Sequence, residues 1–308
     1  MTPRPDPAPA VHPGVASTLR AGLDEIGRIM PTDLRTLEDI LEYRRVGAAR
    51  TTTAAEIATR LGLTAAERTD VPACPVTVFS TGRVPAARVL FLHGGGLIAG
   101  CRFDGADVIA RHADALDLEV WTLEYPLAPE QNLDAMIDVV LEVVAAAGDE
   151  LPLVLAGQSG GGGLAAATAL AARDRGIRVD AQLLVCPMLD RTERASTRQF
   201  ADSPAWSAIS HRTAWSHVLD GAQTLPPGET ADLRGVPPTF LDTGGAELFR
   251  DSILDHAARL SAAGTAVELH MYSGAFHSSD CVLEDAEVSR DAHRARESWL
   301  RRVLARDV

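Results

Sequence analysis

The chain has 308 residues, of which 46% are hydrophobic and 23% are charged. This length and composition are typical of a globular protein with one large core. Acidic residues outnumber basic residues by 42 to 29, and the formal net charge is −13. Such an excess of negative charge repels nucleic acids and anionic membrane surfaces, so neither is expected as a partner.

The first residues, MTPRPDPAPAVHPG, are rich in proline and poor in apolar side chains, and they predict a flexible tail over residues 1–15. This segment lacks the apolar stretch of a secretory leader, and no later stretch is long and apolar enough to span a membrane. We therefore expect a cytoplasmic protein.

Four cysteines are present, and they form no C-x-x-C pair and no zinc-finger spacing with histidine. Neither a metal site nor a redox site is expected from these spacings. Cys186 lies in the apolar run LLVCP, where the expected role is that of a small buried hydrophobic residue.

After the tail, apolar residues recur at three- and four-residue spacing, which predicts helices in a cap element over about 16–65. Short runs rich in strand-forming residues then predict strands over 75–79, 88–93, 118–125, 153–157, 182–187, 239–243 and 267–272. Amphipathic segments predict helices over 105–116, 132–147, 161–174, 251–263 and 284–305, with a second cap element over 195–222. This alternation indicates an α/β fold with a mostly parallel central sheet flanked by helices, in one domain over 16–308.

The sequence G-Q-S-G-G at 157–161 follows an apolar strand and opens an alanine-rich helix. This context is typical of a nucleophile elbow, in which a tight turn presents a serine at the N-terminus of a helix. Ser159 is therefore the candidate nucleophile. A glycine-rich turn with a structural or phosphate-binding role is the alternative for this motif by itself.

The sequence H-G-G-G at 93–96 directly follows another predicted strand. Glycines allow backbone N–H groups to approach an oxyanion closely, and the expected donors are the amides of Gly95, Gly96 and Gly160. His93 is expected to position this loop. A phosphate-binding loop is the alternative, but no Lys-Ser/Thr pair follows the glycines.

A general base and an orienting acid are expected downstream, in the order serine, acid, histidine. His277 follows the last predicted strand in a loop of small residues and is the candidate base. His270 lies inside that strand and His293 lies on the last helix, so both are expected to be packing or surface residues.

The acid should follow the predicted strand over 239–243, which leaves Asp242, Glu247 and Asp251 as candidates. Asp242 is still within the strand, and Asp251 lies in the first turn of the next predicted helix. Glu247 lies in the loop between them and is therefore preferred.

Six blocks resemble, in order, those of hormone-sensitive-lipase-like esterases, which are bacterial family IV of the α/β-hydrolase superfamily: HGGGLIAG, EYPLAPE, GQSGGG, CPMLD, VPPTFLDTGGAELFRD and GAFHS. The resemblance runs from about Val76 to the C-terminus. It implies a helical cap, activity on short-chain esters without cofactors, and a catalytic triad of Ser159, Glu247 and His277. A homodimer that forms through the last strand would agree with this family resemblance, although the oligomeric state stays open.

The sequence departs from the family pattern at several positions. The family usually has aspartate at the position of Glu247, and Asp and Ala at those of Gln158 and Gly160. Pro126 stands where an arginine is common. Ser278–Ser279 replace the usual Gly-Phe after the histidine, which predicts a roomier or more polar pocket.

Together these patterns predict a serine carboxylic-ester hydrolase that acts on short- to medium-chain esters through an acyl-enzyme. A lactonase, an amidase or an acyltransferase would use the same groups, so these activities stay open. A non-catalytic ligand-binding homologue could keep the pocket and lose the base, whereas Ser159 and His277 are both present here.

Overall fold

The computed structural model describes residues 14–307, so the predicted tail over 1–15 lies outside the described residues except for its last two positions. An eight-stranded sheet forms the centre of the molecule. Its strands, in chain order, are β1 Thr64–Arg68, β2 Val76–Ser80, β3 Ala87–Leu92, β4 Leu118–Leu123, β5 Leu153–Gln158, β6 Ala181–Val185, β7 Thr239–Gly244 and β8 Val267–Tyr272.

The strand order across the sheet is β1-β2-β4-β3-β5-β6-β7-β8. The β1–β2 and β2–β4 pairs are antiparallel, and all the others are parallel. The predicted fold class is therefore confirmed. Because β5, β6, β7 and β8 are parallel neighbours, the loops at their carboxyl ends meet at one edge of the sheet.

Helices flank the sheet. They are α1 Ser17–Ile29, α2 Leu37–Ala48, α3 Ala54–Leu61, α4 Asp107–Ala110, α5 Ala113–Leu116, α6 Leu133–Ala147, α7 Gly160–Asp174, α8 Ala195–Gln199, α9 Ala208–Val218, α10 Arg250–Ala262, α11 Ser279–Val282 and α12 Glu287–Leu304. None of the helices within residues 14–307 is long and apolar enough to cross a membrane.

Two large apolar clusters fill the two faces of the sheet. Successive side chains of a strand point to opposite faces. In β3, Leu90 and Leu92 therefore belong to a cluster that includes residues of α6, α7 and α10. Val89 and Phe91 pack with residues of α4 and α12. Burial on both faces explains why the central strands are nearly continuous apolar runs.

All seven predicted strands are present, with ends that differ by at most two residues. The sequence did not predict β1, whose side chains are mostly exposed. The predicted helical region over 16–65 therefore runs into a strand at its end. The predicted helix over 105–116 is two short helices, and the last long helix begins at Glu287 instead of 284.

The two predicted cap elements pack on each other. The Ser210 hydroxyl accepts a hydrogen bond from the Leu34 amide at 3.0 Å and donates one to the Thr32 carbonyl at 2.7 Å. The rings of Tyr43 and Trp206 meet edge to face, with centroids 6.4 Å apart. These contacts join the segment after α1 to the segment around α9.

Candidate active site

Ser159 lies in the turn between β5 and α7, with φ 54° and ψ −120°. A positive φ is unusual for a residue with a side chain and is characteristic of the nucleophile elbow. The turn is held by hydrogen bonds from the Ser159 amide to the Val185 carbonyl at 2.9 Å and from the Met188 amide to the Ser159 carbonyl at 2.9 Å. The serine is therefore fixed between β5, β6 and the start of α7.

The first turn of α7 fits between neighbouring backbone segments only because it lacks side chains. A Cβ on Gly161 would overlap the carbonyl oxygens of Leu92 and His93, and one on Gly163 would overlap the carbonyl oxygen of Met188. This close packing explains the run of glycines after Ser159 in the sequence.

The structure brings the three predicted triad residues together. Ser159 Oγ lies 2.8 Å from His277 Nε2, and His277 Nδ1 lies 2.5 Å from Glu247 Oε2. The three side chains come from the carboxyl ends of β5, β8 and β7, respectively, and all three are buried. They form a continuous hydrogen-bonded path from a hydroxyl to a carboxylate.

The remaining carboxylate oxygen of Glu247 also accepts hydrogen bonds. Its Oε1 accepts hydrogen bonds from the Gly244 amide at 2.7 Å and from the Thr243 hydroxyl. These donors fix the carboxylate so that Oε2 faces the imidazole. A carboxylate held in this way can orient the ring and select its tautomer.

The two other acid candidates have different partners. Asp242 pairs with Arg296 at 2.7 Å. Asp251 accepts a hydrogen bond from the Ser196 amide at 2.8 Å and pairs with Arg250. Of the three candidates, Glu247 is the one that the structure places on His277.

The charge of Glu247 also affects the imidazole. Burial alone would lower the pKa of His277, but the Cys186 sulfur and the Glu247 carboxylate act in the opposite direction, and the net effect raises it. Burial raises the pKa of the Cys186 thiol, so this group is neutral near pH 7 and the acting charge is that of Glu247. The carboxylate therefore stabilises the imidazolium that would form when the histidine takes a proton.

The predicted oxyanion donors lie beside the serine. Gly95 and Gly96 have φ values of 103° and 63°, and a Cβ on Gly160 would lie only 2.7 Å from the Leu97 amide nitrogen. Within residues 14–307, the amides of Gly95, Gly96 and Gly160 donate to no acceptor. They are therefore free to bind an oxygen atom.

His93 lies under this loop. Its Nδ1 is 2.7 Å from the Gly94 carbonyl oxygen, and its ring stacks on Tyr125 with centroids 4.2 Å apart. Burial lowers the pKa of His93 to about 4, so the ring is neutral near pH 7. These contacts place His93 against the backbone of the loop. They support a structural role for His93 and not the role of a base.

A cavity of about 850 Å³ lies over Ser159 and His277. Its apolar wall is formed by Ile26, Met30, Leu127, Ala205, Trp206 and Val282. Its polar wall includes residues 50–53, Arg102, Asp104 and Ser278. The volume is sufficient for a small organic substrate.

Sequence reasoning missed two buried residues in this part of the molecule. Cys186 is buried as predicted, but its sulfur lies beside His277 and Glu247. Arg296, on α12, is buried and bridges Asp242 and Asp280, at 2.7 Å and 2.5 Å. Both contacts join segments that are distant in the sequence, so no local motif indicates them.

The two other downstream histidines lie away from the serine. His270 contacts Glu268 at 2.9 Å and stacks on Phe240. His293 is buried on α12, with its Nδ1 3.3 Å from Arg296 Nη1.

Comparisons with known proteins agree with this architecture. The profile of a family with the alpha/beta hydrolase fold matches residues 89–280. Esterase LipI of Mycobacterium tuberculosis is 30% identical over 215 residues, which cover 65% of this chain and 65% of LipI. Carboxylesterase NlhH of the same species is 35% identical over 203 residues, which cover 59% of this chain and 62% of NlhH. The alignments thus span slightly less than two thirds of these curated relatives.

Solved structures match over a larger share of the chain. Esterase LipW from Mycobacterium marinum superposes with a TM-score of 0.83 at 29% identity, covering 95% of this chain and 98% of LipW. A structure described as a bacterial heroin esterase gives a TM-score of 0.79 at 29% identity, with coverages of 94% and 98%. The chain therefore belongs to the α/β-hydrolase family, in its hormone-sensitive-lipase-like group.

Proposed function

We propose that the protein hydrolyses carboxylic esters, with Ser159 as nucleophile, His277 as general base and Glu247 as orienting acid. The observation that carries this proposal is the unbroken hydrogen-bonded path from Ser159 Oγ through His277 to Glu247 at the floor of a cavity. The names of the relatives, esterase and carboxylesterase, support the same reaction.

Acylation begins when Ser159 Oγ attacks the carbonyl carbon and His277 Nε2 takes the hydroxyl proton. The carbonyl electrons move onto the oxygen, which the amides of Gly95, Gly96 and Gly160 stabilise. When the tetrahedral intermediate collapses, the imidazolium gives its proton to the departing alcohol oxygen. The products of this half-reaction are the alcohol and an acyl-Ser159.

Deacylation repeats these steps with water. His277 takes a proton from the water as it attacks the acyl carbonyl, and the same amides bind the new oxyanion. Proton return from the imidazolium to Ser159 Oγ releases the carboxylic acid. Glu247 holds one tautomer of the ring in both half-reactions, because its carboxylate accepts the Nδ1 hydrogen.

We also propose that the segments over about 16–65 and 195–222 act as a cap on the substrate. Ile26, Met30 and Trp206 come from these segments and provide much of the apolar wall of the cavity. This wall suits an acyl chain of short to medium length. The cytoplasmic location and the homodimer stay predictions.

A series of p-nitrophenyl esters of increasing acyl length tests the activity and the cavity together. We expect kcat/KM to be highest for short to medium chains and to fall for long chains, because the cavity has a volume of about 850 Å³ and the proposed cap segments form part of its wall. The measurement is the initial rate of p-nitrophenol release for each ester. Absence of turnover throughout the series would contradict ester hydrolysis, and a maximum at the longest chains would contradict the chain-length proposal.

Replacing the proposed acid by its amide tests the third member of the triad. Glu247→Gln is expected to lower kcat by a factor on the order of 10³ to 10⁴, because the amide neither fixes the tautomer nor stabilises the imidazolium. Asp251→Asn is the matched control, since Asp251 contacts Arg250 and the Ser196 amide instead of His277. A large loss of kcat in the control with little loss in Glu247→Gln would show that Asp251 is the acid.

A further inference from the structure

We propose that Cys186, Glu247 and His277 form a binding site for Zn²⁺ or a similar thiophilic divalent cation, and that its occupancy switches the enzyme off. The inhibitory part of this proposal rests on the proposed function of His277 as the general base. The binding part rests only on the geometry of the three side chains.

The three donor atoms are already close together. The Cys186 sulfur, a ring nitrogen of His277 and a carboxylate oxygen of Glu247 all lie within 4.8 Å of one another, and all three residues are buried. Thiolate, imidazole and carboxylate are the ligands that zinc prefers, and its bond lengths separate neighbouring tetrahedral ligands by about 3.3–3.6 Å. Binding of a cation therefore requires His277 Nδ1 and Glu247 Oε2, now 2.5 Å apart, to separate and Cys186 to turn toward them, with water as a fourth ligand.

The backbone directs Cys186 toward the histidine loop. Its φ is 36°, which is rare for a residue with a side chain and points to a functional constraint. The Cys186 amide donates to the Asp242 carbonyl oxygen at 3.0 Å, which fixes this conformation. As a result Cys186 Sγ lies 3.6 Å from the hydroxyl of Ser278, the residue after His277.

The surroundings provide negative charge. A cavity of about 20 Å³ borders Cys186 and Ser278 but neither His277 nor Glu247, so it lies beside the three ligands and does not enclose them. Its wall contains the carboxylates of Asp242 and Asp280 and the guanidinium of Arg296. With the nearby carboxylate of Glu247, the negative charges outnumber the positive one, and this balance favours a cation.

Metal binding at this place would remove the base. Nδ1 is the ring nitrogen that faces Glu247, so a cation shared by Glu247 and Cys186 takes the Nδ1 lone pair. The proton of the neutral ring then resides on Nε2, and this nitrogen cannot accept the proton of Ser159 Oγ, 2.8 Å away. The Cys186 thiol releases its proton to solvent, and the thiolate and the carboxylate together balance the two charges of the cation.

The first test compares zinc inhibition in the wild type and in Cys186→Ser. Zinc chloride is expected to inhibit hydrolysis of p-nitrophenyl butyrate by the wild type, and a chelator is expected to restore the rate. In Cys186→Ser the inhibition constant, measured against that variant's own uninhibited rate, is expected to rise by more than about tenfold. Cys281→Ser is the matched control and should keep the wild-type constant, because Cys281 lines the substrate cavity without belonging to the cluster. Equal inhibition of Cys186→Ser and wild type would overturn the proposal.

A second test measures binding without activity. In Ser159→Ala the three ligands are intact, and addition of Co²⁺ is expected to produce a thiolate-to-metal charge-transfer absorption band. The band should be absent in the double variant that carries both Ser159→Ala and Cys186→Ala. Thermal unfolding of the single and the double variant should show that both proteins are folded. A missing band in Ser159→Ala, or an equal band in both proteins, would overturn the metal site. Retained esterase activity in Ser159→Ala would instead contradict the proposed function.

Discussion

Ser159→Ala is expected to lower kcat for p-nitrophenyl acetate by a factor on the order of 10⁴ to 10⁶. Without Oγ no acyl-enzyme can form, and His277 has no hydroxyl to deprotonate. The residual rate would come from water attack assisted by the amides of Gly95, Gly96 and Gly160. Single-turnover and steady-state release of p-nitrophenol measure the loss, and the burst of product from acylation should disappear.

Ser278→Ala is a matched control for this substitution. Ser278 lines the same cavity and also has a positive φ, of 61°, so the change removes another serine hydroxyl from the cavity wall. Its hydroxyl contacts Cys186 and is not part of the path to Glu247. We expect kcat to change by less than about tenfold, which corresponds to about 1.4 kcal/mol. Similar losses in both variants would contradict the special role of Ser159.

Arg296→Met is expected to cause the largest loss of stability, about 3–5 kcal/mol of the free energy of unfolding. Arg296 is 2% exposed and pairs with two carboxylates, Asp242 and Asp280, that are also buried. Methionine has a similar volume and no charge, so the two acids would face each other without a cation. The midpoint of urea unfolding, followed by circular dichroism, measures this loss.

Two comparisons separate loss of charge balance from loss of packing. Arg301→Met, on the same helix, removes an exposed pair with Glu297 and should change stability by less than about 1 kcal/mol. Adding Asp242→Asn and Asp280→Asn to Arg296→Met removes the uncompensated charges and should restore much of the loss. If the triple variant were no more stable than Arg296→Met, the destabilisation would arise from packing.

The sheet could be predicted from the sequence because its central strands are buried on both faces. Burial of this kind produces apolar runs, such as LVLAG before Ser159, that stand out between turns. β1 could not be predicted, since its sequence TAAER is polar and mostly exposed. That strand exists because its backbone pairs with β2 at the edge of the sheet, and such pairing leaves no local pattern.

The residues of the candidate site also fall into two groups, those that the sequence predicts and those that it does not. Ser159, Glu247 and His277 could be selected because each lies in the segment that follows a strand, and because the three occur in a fixed order. Cys186 and Arg296 could not, because their contacts depend on which strands are neighbours. β6 lies beside β7, and β7 beside β8, which brings the end of LLVCP to the loop that carries His277.

The glycine-lined start of α7 limits how this protein can diversify. Gly161 lies directly on the end of β3 and Gly163 on the segment after β6, so a side chain at Gly161 would displace the first and one at Gly163 would displace the second. The cavity wall at residues 50–53 is formed by exposed or half-exposed side chains and has no such restriction. New substrate preferences would therefore arise by mutation of that wall, while the elbow would change little during evolution.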